Sequence, residues 1–140
     1  MRLFFLLFIF LITGCYGQQD FINFLEEIHQ QNTSYSSRST TPTKRDIINA
    51  LHYDPKIQNA IRTECQFLTY SPKSIEIFYD KMNKSHILQK TKAESKKLSV
   101  SIVNSGFKIK NDFIDMCKDA FNLQLLRRIL NKNNFETEVI

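Results

Sequence analysis

The stretch from Asn111 to Leu130 restricts the fold of this chain more than any other. Asn111 is suited to an N-cap, and Asp112 and Asp115 put negative charge in the first turn, where the helix dipole favours it. At roughly 100° per residue, Phe113, Ile114, Met116, Cys117, Ala120 and Phe121 share one face, with Asp112, Asp115, Lys118, Asp119 and Asn122 opposite. A long amphipathic helix needs other elements against its apolar side, so the rest of the chain has to supply them.

Beyond Asn122 the pattern changes. On the same wheel Gln124, Arg127 and Arg128 fall where apolar residues had been, while Leu123, Leu125, Leu126, Ile129 and Leu130 spread over the other side. A kink, or a last segment packed on a different neighbour, accounts for this. A second reading makes Leu123, Leu126, Arg127, Arg128 and Leu130 a cationic amphipathic patch for a partner.

The start of the chain bounds its compartment. Arg2 precedes an apolar run from Leu3 to Ile12 and then small residues, the layout of a secretory signal peptide over residues 1–17 with cleavage after Gly17. The run is too short to span a bilayer, and no later segment is long and apolar enough. The expected location is therefore secreted and extracellular. An alternative comes from Ile12-Thr13-Gly14-Cys15, which resembles the lipobox of bacterial lipoproteins and implies a membrane anchor through Cys15.

Removing the leader leaves two cysteines, Cys65 and Cys117, and an oxidising compartment favours their pairing in a disulfide. Neither has a close Cys or His companion, so a zinc site is not expected. The formal charge of +5 suits nucleic acid in general, but a secretory leader argues against that partner. An extracellular protein is the expected partner, with lipid or anionic polysaccharide as further options.

After the leader, 18–31 reads as a helix with Phe21, Phe24, Leu25 and Ile28 at helical spacing. Glu26 and His29 lie three apart on it, as expected of a solvated pair. Residues 32–43 form a Ser/Thr-rich linker that opens with the sequon Asn32-Thr33-Ser34. Such a linker leaves the first helix loosely attached. Lys44-Arg45 then offers a dibasic processing site, or else the first turn of the next helix.

A helical core is expected over 44–131 and a frayed tail over 132–140. Thr43 with Asp46 forms a capping-box pattern, and Asp54-Pro55 and Ser71-Pro72 each place an N-cap before a first-turn proline. Ile57, Ile61, Cys65 and Leu68 mark one face, and Ile75, Phe78, Tyr79 and Met82 another. The second sequon, Asn83-Lys84-Ser85, falls between predicted helices, so Asn32 and Asn83 are the candidate glycosylation sites. Ser85 can cap a following helix with Lys90, Lys92, Lys96 and Lys97 mostly on its outer side. Gly106 fits a left-handed helix stop with Phe107 folding back. The alternation of Leu98, Val100 and Ile102, then Phe107 and Ile109, admits a hairpin instead, but no other strand exists for it to join.

Chemistry has few footholds. Gly106 is the only glycine beyond the leader, so no Gly-rich phosphate loop can form. His29, His52 and His86 fall in three different predicted elements, and no paired-His metalloprotease spacing or Gly-x-Ser-x-Gly elbow occurs. No catalytic residue, metal ligand or cofactor is expected. The reading is an all-α protein, an irregular bundle of five or six short helices tied by one disulfide. It acts as a secreted, non-enzymatic interaction protein. The alternatives are a carrier of small apolar ligands such as fatty acids and a precursor processed after Lys44-Arg45.

Overall fold

The computed structural model describes residues 17–32 and 42–135. Residues 1–16 of the expected leader, including Cys15, residues 33–41 with the rest of the first sequon, and residues 136–140 lie outside the described residues. Among those described there are six helices and no strand: α1 Gly17–Asn32, α2 Lys44–His52, α3 Pro55–Leu68, α4 Pro72–Lys84, α5 Lys92–Val103 and α6 Phe107–Lys132.

Local chemistry sets most of the boundaries. Before α2, Thr43 Oγ1 accepts from the Asp46 N–H at 3.1 Å and the Thr43 N–H donates to Asp46 Oδ2 at 2.9 Å, a complete capping box. Asp54 Oδ1 accepts from the Lys56 N–H at 2.9 Å, with Pro55 in the first turn of α3. Ser71 holds the N-cap of α4 without a side-chain cap bond.

Several expectations need correction. Ser85 does not start a helix; it ends α4, and α5 starts seven residues later behind Thr91, whose Oγ1 accepts from the Glu94 N–H. Asn111 is not an N-cap, because α6 begins one turn earlier behind Gly106. Gly106 has φ −75°, ordinary extended backbone, and Phe107 points outward at 84% exposure. The left-handed stops sit elsewhere. His86 (φ 58°) and Asn134 (φ 62°) follow the caps of α4 and α6. The Ile87 N–H donates to Met82 C=O, and the Phe135 N–H to Leu130 C=O, the 6→1 bond of a Schellman motif. Phe135 also packs on the core, so the tail is fixed up to that residue.

The core is built around α6. Phe113, Cys117, Phe121, Leu125 and Ile129 lie four apart and are all buried. Four residues advance about 400°, so each step moves burial about 40° round the axis. The apolar face therefore turns gradually along one unbroken helix, and no abrupt break at Asn122 is needed. Phe21 of α1 meets Phe121 at 5.0 Å between ring centroids, and Phe78 of α4 meets Phe113 at 5.7 Å and Phe121 at 5.5 Å. α5 packs through Ser95 and Ser99 as well as Ile102.

The first helix is not loosely held. Phe21, Ile22 and Leu25 are buried in the same core. Glu26 and His29, expected to be solvated, are 7% and 4% exposed. On a helical wheel His29 falls between Leu25 and Ile22, inside the apolar face. Glu26 meets Lys132 Nζ at 2.6 Å and Arg128 Nε at 3.6 Å.

Candidate functional surface

Four contacts fix the direction of α3 and α4 against α6. Gln58 and Asn122 exchange side-chain hydrogen bonds of 3.0 and 3.2 Å, and Cys65 is bonded to Cys117 with Cα atoms 5.9 Å apart. Residue numbers rise on α3 as they fall on α6, so these two helices are antiparallel. On α4, Phe78 meets Phe113, and the Ser85 carbonyl accepts from Arg127 Nη1 at 3.2 Å, so α4 runs parallel to α6. The last turn of α3, the α3–α4 turn and the first turn of α6 therefore share one end of the bundle.

That end is apolar and cationic. Phe67 and Tyr70 are exposed, their rings 6.1 Å apart, and Phe107 and Ile109 are exposed on the opening turn of α6. Residues 66–74 and 104–111 contain Lys73, Lys108 and Lys110 and no carboxylate. Lys108 and Lys110 sit at a helix N-terminus, where the dipole disfavours cations by a few tenths of a kcal/mol. Burying a large side chain such as Phe107 contributes roughly 2 kcal/mol, and the fold forgoes it here.

The proposed patch on the second half of α6 is not gathered on the surface. Leu130 is fully buried, and Leu126 packs on the core. Arg127 turns to Ser85 and Arg128 to Glu26. Leu123 is half-buried. Leu130 cannot meet a partner while the bundle stays folded, because it is fully buried, about 100° round the α6 axis from Ile129.

Lys44 and Arg45 form the first turn of α2 behind the capping box. Asn83 lies inside the last turn of α4, not between helices, and its amide is engaged with Lys90. Asn32 is the last residue of α1. Cys65 and Cys117 are joined, as their apolar positions led us to expect.

Sequence reasoning missed Phe67 and Tyr70. Phe67 falls at the edge of the α3 wheel, away from Ile57, Ile61 and Cys65, and that displacement was the available signal. Burial shifts three acid–base groups elsewhere in the fold, raising the Tyr79 hydroxyl among them. It holds the His29 imidazole below its ordinary pKa, against the opposing pull of Asp54 and Glu26, and it raises the Glu64 carboxyl.

The chain matches no protein-family model, and comparison with curated proteins and with solved structures returned no significant match.

Proposed function

We propose that this is a secreted, non-enzymatic binding protein that engages an extracellular partner through the end of the bundle bearing Phe67, Tyr70, Phe107 and Ile109. The observation that carries this reading is the gathering of exposed apolar side chains at one end, Tyr70 at 78% and Phe107 at 84% with Phe67 and Ile109, whereas Tyr53, also exposed at 75%, lies between α2 and α3. The Cys65–Cys117 disulfide and the signal-like start support an oxidising, extracellular setting.

The alternatives are less well supported. A carrier gives its interior to the ligand, whereas here Phe21, Phe78, Tyr79, Phe113 and Phe121 occupy it in contact with one another. Cleavage after Arg45 would separate Phe21, Ile22 and Leu25 from the chain whose core they complete.

The test uses protein secreted from a eukaryotic host, labelled and incubated with intact cells of the source organism. Retention on the cell exterior, lost in the double variant Phe107→Ser, Ile109→Ser, is expected. Unchanged retention of that variant, or none by the wild type, would overturn the reading.

A further inference from the structure

We propose that the partner met by this end of the bundle is the surface of an anionic lipid bilayer, an assignment that rests on the binding reading above. The chemistry of the surface favours it. Apolar and cationic side chains alternate along Phe107-Lys108-Ile109-Lys110, with Phe107 84% and Ile109 50% exposed. The last turn of α3 and the start of α4 bring Phe67, Tyr70 and Lys73 to the same end. An interfacial membrane contact uses this combination. Phe and Ile enter the boundary between headgroups and acyl chains, Tyr keeps its hydroxyl at headgroup level, and lysines face phosphate and carboxylate groups.

Charge supplies the complementarity. Three lysines and no carboxylate lie within 66–74 and 104–111, and the nearest carboxylates along the chain are Glu64, Glu76 and Asp112. The contact is peripheral, because no helix among the described residues is long and apolar enough to cross a membrane. These side chains sit at helix ends and in a turn, so docking them requires no change in the core.

The experiment is co-sedimentation of the full, disulfide-bonded secreted protein with vesicles. One set is phosphatidylcholine alone; the other contains phosphatidylcholine with phosphatidylserine. Wild type should sediment with the phosphatidylserine vesicles, not with the neutral ones, and raised salt should release it. Lys108→Glu with Lys110→Glu should lower partitioning by about thirtyfold or more, since each lysine near such a surface contributes about 1 kcal/mol. Phe107→Ser with Ile109→Ser should lower it comparably. All four positions are exposed or half-buried, so circular dichroism should report an unchanged fold. Lys92→Glu with Lys96→Glu, at the far end of α5, should keep most of the binding.

An equal loss in that control would overturn the assignment in favour of non-specific attraction by net charge. Wild type that ignores both vesicle types would overturn it as well. If the Phe107→Ser, Ile109→Ser variant then still loses cell retention, the binding surface stands and its partner is a protein. If cell retention is unaffected too, both readings fall together.

Discussion

Asn83 holds the main chain of Lys90 by both of its polar groups: Nδ2 donates to the Lys90 carbonyl at 2.6 Å, and Oδ1 accepts from the Lys90 N–H at 3.0 Å. The connection between α4 and α5 is thus closed by one side chain seven residues upstream. Asn83→Ala removes two half-buried hydrogen bonds and should cost about 2 kcal/mol, read from the urea midpoint. The same nitrogen is the one a glycan would occupy. Glycopeptide mass spectrometry of secreted protein should find Asn83 unmodified; full occupancy would show a different path for residues 85–91.

The disulfide spans 52 residues between Cys65 and Cys117. In the chain-entropy model a loop of that length stabilises the fold by about 4 kcal/mol. Replacing both cysteines by Ala should lower stability by an amount of that order. Protein expressed from residue 18 onward should show no free thiol until it is reduced. A double variant as stable as wild type would contradict the prediction.

His86 occupies the left-handed region with φ 58° and is exposed, so its ring gains little from the core. Left-handed backbone costs a side-chain-bearing residue about 1 kcal/mol, which glycine avoids. After the larger loss of unfolded-chain freedom with glycine, His86→Gly should still stabilise by about 0.5 kcal/mol, measured by thermal unfolding.

Burial lowers the His29 pKa from its ordinary 6.5, and the neighbouring carboxylates of Asp54 and Glu26 only partly oppose this. As pH falls, the unfolded chain is protonated first. The contribution of neutral His29 is therefore complete above about pH 6.5 and is lost as pH drops through the lowered folded-state value. His29→Leu should flatten this part of the curve of urea midpoint against pH. Glu26 is paired with Arg128 and Lys132 at the same site, so it should be left intact in the comparison.

Glu64 titrates in the opposite sense. Its carboxyl is raised from the ordinary 4.5 by burial, so the folded state takes up the proton first. Stability associated with the protonated form is lost as pH rises through the raised value, and at neutral pH the ionised form is a cost. Glu64→Gln should raise the urea midpoint at neutral pH, and its advantage should shrink on acidification below about pH 4.5. An advantage independent of pH would assign the effect to packing.

Much of the fold was determined by the sequence alone, because helix caps and apolar spacing act within a few residues. Thr43 with Asp46 and Asp54 with Pro55 start helices where their local hydrogen bonds require, and Ile57, Ile61 and Cys65 mark a face that Cys117 could meet. What tertiary structure decided depends on partners far along the chain. Glu26 and His29 look like surface residues until α6 brings Arg128 and Lys132 across α1. Leu130 looks available from the sequence, but it is fully buried on a side of α6 that only the packed bundle covers. The lysines and exposed rings of 66–74 and 104–111 are separated by a whole helical pair in sequence. They become one surface only because α3 runs antiparallel and α4 parallel to α6, which long-range packing sets and local propensity cannot.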